Sequence, residues 1–197
     1  MKYRLNRPEP IDPIYPPVMK NTDFKDFVAF DIETTGLARN EEIIEIGAVK
    51  VSENKATGKF SMLVKPRKYI PYLIEEVTGI TNIMVSDAPE IEEVLPDFLD
   101  FIGDSVLLGH NIVSFDSKFI CRETANLGIN IKNPLFDTLT YAKGLRKSCG
   151  LPDKLSLASL TDFFGISVNA RHRAFDDALA NTKVYFCLKA LEKKFSE

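Results

Sequence analysis

The stretch FVAFDIETTGL, residues 27–37, opens like a buried strand and closes on two acids one residue apart. Residues 27–32 are mostly apolar, a run short enough for a strand enclosed on both faces. Side chains alternate along a strand, so Asp31 and Glu33 share a face. Carboxylates that close repel one another and raise each other's pKa. A divalent cation removes the conflict, and Asp and Glu oxygens suit hard ions such as magnesium or manganese. Thr34 and Thr35 add hydroxyls, and Gly36 lets a substrate approach the backbone. Taken alone, the pair also reads as a solvated strand end that carries two acids.

Working outward, residues 42–51 alternate enough for a second strand and residues 59–65 for a third, joined as a hairpin through the polar residues 53–58. Residues 89–102 place Ile91, Val94, Leu95, Phe98, Leu99 and Ile102 at helical spacing. A fourth strand is expected at 105–109, a helix at 114–127 with Ser114 as its N-cap, and a short fifth strand starting near Leu135. Residues 155–164 predict a short helix and 174–195 a long one. A hairpin followed by alternating helices and strands indicates the α/β class, a mixed sheet covered by helices. Ahead of it, residues 1–23 hold five prolines between Pro8 and Pro17, which predicts an extended arm rather than a helix or central strand. Such an arm either hugs the surface, stays disordered, or docks a partner. Residues 24–197 are expected to form one domain, without internal repeats.

The bulk numbers narrow the function classes. A net charge of −3 over 197 residues argues against a protein that binds nucleic acid by overall charge, although local patches and bound cations can hold phosphates. Cys121, Cys149 and Cys187 are far apart, with no metal-binding spacing, and suit a reduced cytoplasmic compartment. No run suits a membrane helix, and the polar, proline-rich start lacks a signal-peptide core.

Two further segments carry acids in telling places. In GHNIVSFDSKFI, residues 109–120, Asp116 falls in the first turn of a helix just past a strand's carboxyl end, where open α/β sheets put their sites. Its plain alternative is complementing the helix dipole. Phe115 and Phe119, four apart, can pack together. In RHRAFDDALANTKVYF, residues 171–186, Asp177 shares a stripe with Ala180, Val184, Leu188 and Leu191, and an acid there needs a partner or a metal. Asp176 points to the solvent side. His172 precedes the helix on a loop, either free to swing toward a water or simply an exposed histidine.

Together these segments resemble the DEDD superfamily of 3′→5′ exonucleases, and within it the DEDDh branch of the DNA polymerase III epsilon proofreading subunit. The D-x-E-T-T-G motif is similar to Asp31, Glu33, Thr34, Thr35 and Gly36. The H-N-x-x-F-D motif is similar to His110, Asn111, Phe115 and Asp116 with one extra residue, and H-x4-D to His172 and Asp177. The stretch EVTGITN, residues 76–82, resembles the family's H-G-I-T, with Thr78 where histidine is common. A tyrosine in place of His172 would have marked the sister branch. The likeness spans roughly residues 26–191, and three motifs in order are far more specific than one.

The resemblance implies an RNase H-like fold: a five-stranded mixed sheet, strand two antiparallel, flanked by helices. It implies a metal-dependent 3′→5′ exonuclease that hydrolyses phosphodiester bonds of single-stranded or frayed DNA to 5′-nucleoside monophosphates, of proofreading or repair type. Two divalent cations, Mg²⁺ or Mn²⁺, would be held by Asp31, Glu33, Asp116 and Asp177, with His172 as proton acceptor and His110 as its rival. Thr34, Thr35, Gly36, Leu37, Thr78, Asn111 and Phe115 would contact substrate, with Leu37 as a wedge beside a base; Phe115 is equally readable as core. Lys65, Arg67 and Lys68, or Arg171 and Arg173, would reach phosphates farther along unless they are ordinary solvated faces. The implied partners are DNA or RNA 3′ ends and a DNA polymerase catalytic subunit, with no membrane; monomer and homodimer stay open. The alternatives are an RNA-trimming exoribonuclease of the same fold and a non-catalytic nucleic-acid- or polymerase-binding module.

Overall fold

The apolar run at residue 27 becomes β1 (Phe27–Thr34), the central strand of a five-stranded sheet in the computed structural model, which describes residues 9–20 and 23–196. The sheet order is β3-β2-β1-β4-β5. β2 (Ile43–Ser52) lies antiparallel to β1 and to β3 (Lys55–Leu63), while β4 (Val106–Gly109) and β5 (Leu135–Asp137) continue parallel on the other side. Strand two thus runs against the other four, as expected.

The two-residue period of β1 sorts its side chains. Val28, Phe30 and Ile32 pack beneath α2 (Ile91–Ile102) and α3 (Asp116–Asn126), with Phe98 and Phe119 in the same cluster. Phe27 and Ala29 pack on the opposite face against Ala178 and Tyr185 of α6 (Ala174–Ser196). Asp31 and Glu33 continue that second face, so they emerge under the start of α6. α4 (Thr138–Cys149) and α5 (Leu157–Phe164) share a further cluster with α6 through Ala142, Leu160, Val184 and Leu188.

Gly47, opposite Asp31 in the β1–β2 register, lets α6 come this close. A Cβ there would stand 2.0 Å from the Phe175 nitrogen and 2.2 Å from the Ala174 carbonyl carbon, both backbone atoms that cannot swing aside. Gly47→Ala is therefore expected to destabilise the fold by about 1–3 kcal/mol. A urea midpoint equal to wild type would contradict this packing.

Several expectations are corrected. The hairpin turn is only Glu53–Asn54, both left-handed at φ 48° and 63°, so β3 starts at Lys55 rather than 59. Ser114 does not cap α3; Phe115 holds the cap position, and the Ser117 N–H finds the Ile112 carbonyl instead at 3.0 Å. The structure adds two helices to those expected, α4 and the short α1 (Tyr72–Thr78). Ser156 caps α5, which begins two residues later than expected. Of the proline-rich arm, residues 9–20 run without helix, and Val18 makes a parallel bridge to Leu135 of β5; residues 1–8, 21 and 22 lie outside the described residues. Among the described residues, no helix is long and apolar enough to cross a membrane.

Candidate active site

β1 delivers Asp31 and Glu33, and α6 delivers Asp177 to the same cleft. One ligand atom each from Glu33, His172 and Asp177 lie within 4.8 Å of one another. His172 is exposed on the loop before α6, and its backbone is left-handed at φ 58°. Its N–H donates to Asp177 Oδ2 at 3.0 Å, which fixes the loop to the acid it serves. For a residue with a Cβ, such a conformation costs roughly 1 kcal/mol, and strain of this kind gathers at functional sites.

Asp116 enters from the first turn of α3. It is buried, and its Oδ1 accepts from the Ile32 N–H at 3.3 Å, the amide between the two acids of β1. That bond ties α3 to the central strand. Asn111 is left-handed at φ 68°, and its N–H donates to Asp137 Oδ1 at 3.2 Å. His110, the rival proton acceptor, is held by Thr138 Oγ1 at 3.1 Å from Nδ1, and burial pushes its pKa down. It stands outside the cluster formed by His172.

The electrostatics are those of crowded, desolvated carboxylates. Loss of water raises the pKa of Asp31 well above the usual carboxylate range, helped by Asp116, Glu33 and Asp177. Burial, then Asp177, Glu45 and Asp116, push Glu33 up to about 8. Burial raises Asp116 to about 7 against the opposing pull of backbone N–H bonds. Asp177 is raised too, by burial, with the His172 N–H pulling the other way. Four carboxylates made this reluctant to ionise, all offering oxygen, form a donor set suited to hard divalent cations.

The residues expected at the substrate divide into two groups. Thr34 Oγ1 donates to the Gly36 carbonyl at 2.6 Å, and Thr35 Oγ1 donates to Glu41 Oε2 at 2.6 Å while accepting from the Glu42 N–H at 3.0 Å. Both threonines are buried, so their hydroxyls shape the β1–β2 loop instead of standing in the cleft. Thr78 is buried as well; its hydroxyl donates to the Ile74 carbonyl at 2.8 Å and finishes α1. Gly36 has little spare room, since a Cβ would meet Glu41 Cγ at 3.2 Å. Leu37, in contrast, is 85% exposed, and Phe115 is half-buried against Phe119 with ring centres 5.0 Å apart. Asn111 borders a cavity shared with His110 and Lys143. Among the basic clusters, Arg67 pairs with Glu92, Lys68 reaches the Asn40 carbonyl at 2.7 Å, and Arg171 pairs with Asp162 at 2.7 Å.

Glu45 was not foreseen. It pairs across the strands with Glu33 yet is only 2% exposed. Its carboxylate takes both Arg173 Nε at 3.1 Å and Nη2 at 2.8 Å, and the Ala174 N–H at 2.9 Å. The bidentate bond and the capped amide fasten the start of α6, and with it His172 and Asp177, to β2. Asp137 plays the matching part at α4, accepting from the Leu139 N–H at 2.9 Å and the Thr140 N–H at 3.2 Å. An acid inside the otherwise apolar IIEIGAV, residues 43–49, followed two residues on by a strand glycine, was the available signal for Glu45.

The Exonuclease family matches residues 28–185. The chain is 43% identical over 175 residues to the PolC-type DNA polymerase III of Clostridium perfringens, covering 87% of this chain but 12% of that protein. It is 41% identical over 169 residues to the DNA polymerase III subunit epsilon of Aquifex aeolicus, covering 85% of this chain and 81% of that one. Exonuclease X in complex with 5′ overhanging duplex DNA superimposes with a TM-score of 0.65 at 25% identity, over 85% of this chain and 92% of that one. Exonuclease I gives 0.77 at 18% identity, over 87% of this chain and 42% of that one, a likeness of fold.

Proposed function

The chain belongs to the Exonuclease family, and from that premise we propose that it removes nucleotides from the 3′ end of single-stranded or frayed DNA as 5′-nucleoside monophosphates. The observation that carries the reading is the convergence of Glu33, Asp177 and His172 within 4.8 Å, beside Asp31 and Asp116. Asp31, Glu33, Asp116 and Asp177 would hold two Mg²⁺ or Mn²⁺ ions. When bound, such ions neutralise the carboxylates, polarise the phosphate and favour ionisation of the attacking water. The chain's own part is to fix those acids on β1, α3 and α6 and to accept the water's proton on the His172 imidazole, the side-chain type most often used as a general base. Leu37 and Phe115 would hold the terminal nucleotide by apolar contact, which tolerates any base. The DNA polymerase III context of the relatives supports a proofreading or repair role beside a polymerase subunit.

The test is digestion of 5′-labelled DNA and RNA oligomers with magnesium or manganese, each against chelator. A stepwise ladder shortening from the 3′ end of DNA is expected only with a divalent cation. Intact oligomers under every cation would refute the reading in favour of a binding module.

A further inference from the structure

The geometry points to a second role for the N-terminal arm: it walls the path of the single-stranded DNA, and Tyr15 stacks on an unpaired base upstream of the 3′ end. This rests on the nuclease reading above. The arm is pinned on both sides of that tyrosine. The Ile11 N–H donates to the Ala125 carbonyl at 3.0 Å, and the Ile14 N–H to Asn130 Oδ1 at 2.9 Å. Beyond it, the Pro17 carbonyl accepts from the Leu135 N–H at 2.8 Å, and the Met19 N–H donates to the Leu135 carbonyl at 2.7 Å. Pro13 and the buried Pro16 stiffen the stretch between these bonds.

Covering the open edge of the sheet explains Val18 and its bridge to β5, but not Tyr15. That side chain is 56% exposed and makes no hydrogen bond or ring contact among the described residues. Its backbone is held by the flanking bonds, and its ring is open to solvent. Pro13 and Tyr15 line a cavity of about 300 Å³ whose lining also includes Leu37, Arg39, Phe115 and Lys118. Leu37 and Phe115 are the residues assigned to the terminal nucleotide, so the cavity continues the site away from the acids. Its cations fit a phosphate backbone. Arg39 and Lys118 form no ion pair among the described residues, whereas neighbouring Arg122 is committed to Glu123 and the Glu41 carbonyl. Exposed aromatic and apolar faces beside unpaired cations are what a single strand needs: stacking for its bases and charge for its phosphates.

The experiment uses the full chain, with Tyr15→Ala and Tyr15→Phe, and a fluorescein-labelled dT12 oligomer in chelator. Tyr15→Ala is expected to weaken binding roughly 5- to 150-fold, the usual range for losing one base stack, while Tyr15→Phe stays near wild type. An oligomer carrying 5-iododeoxyuridine a few positions from its 3′ end should photocross-link to Tyr15, and the cross-link should vanish in Tyr15→Ala. If wild type cuts DNA and Tyr15→Ala binds dT12 equally well without loss of the cross-link, the arm's role is overturned while the nuclease reading stands. If wild type neither binds dT12 nor cuts DNA, the nuclease reading falls and takes this inference with it.

Discussion

Asp31→Asn is expected to slow 3′-end hydrolysis roughly 10³-fold, the scale of losing several kcal/mol of charge stabilisation, while raising the melting temperature of the cation-free protein. Both effects follow from its position among the other acids. Burial and four neighbouring carboxylates already hold its pKa well above the usual range, so its ionised form burdens the fold unless a cation is present. The same logic sets the pH dependence of the metal-free protein. Glu33 at about 8 and Asp116 at about 7 keep their protons in the fold far above the values near 4 at which the unfolded chain releases them. Their contribution to stability is complete below the unfolded values and is lost as pH rises toward 7 and 8, at up to about 1.4 kcal/mol per pH unit for each group. Magnesium, which favours the ionised acids, should raise the melting temperature more at pH 8 than at pH 5, and less in Asp31→Asn than in wild type. A variant that melts lower than wild type without cations, or keeps full activity with them, would show that the carboxylates do not form one charge-burdened cage.

How legible the site is in the sequence depends on the range of the interactions that build it. The facing of Asp31 and Glu33 follows from a two-residue period within one strand, and that of Asp177 from helical spacing within one helix; each needs only a few neighbouring residues. Glu45 needs more. It becomes a buried clamp only through the β1–β2 register and the crossing of α6 over Gly47, both tertiary facts. Thr34 and Thr35 read from the sequence as substrate contacts, but the tight β1–β2 loop takes their hydroxyls for its own hydrogen bonds. α4 carried sound boundary signals, Asp137 before it and left-handed Gly150 (φ 65°) after it. Its apolar pattern is nevertheless faint, because it buries little beyond Thr138, Ala142 and Cys149, too sparse a stripe to show a period.

The start of α6 also explains how one loop histidine can be both exposed and well placed. Arg173 and the Ala174 N–H anchor the helix to Glu45, and Asp177 reaches back to the His172 N–H. The backbone of His172 is therefore held from both sides while its ring stays open to solvent. Exposure lets the imidazole exchange protons with water, and the fixed backbone keeps it near Glu33 and Asp177.

His172→Asn should for this reason lower turnover about 10²- to 10⁴-fold, the usual contribution of a positioned general base, without loss of cation binding. Asparagine is the informative replacement, because it tolerates the left-handed backbone that His172 adopts and so removes the proton acceptor rather than the loop. Cation binding is read from the magnesium-induced rise in melting temperature, which rests on the carboxylates and should match wild type. Added free imidazole should restore part of the lost rate, since a small base can enter the space left by the ring, whereas a collapsed site would not respond. His110 supplies the contrast. Its ring is half-buried and tied to Thr138, outside the cluster of Glu33, His172 and Asp177. Full turnover in His172→Asn, or a loss that imidazole leaves untouched, would remove His172 from the role of proton acceptor.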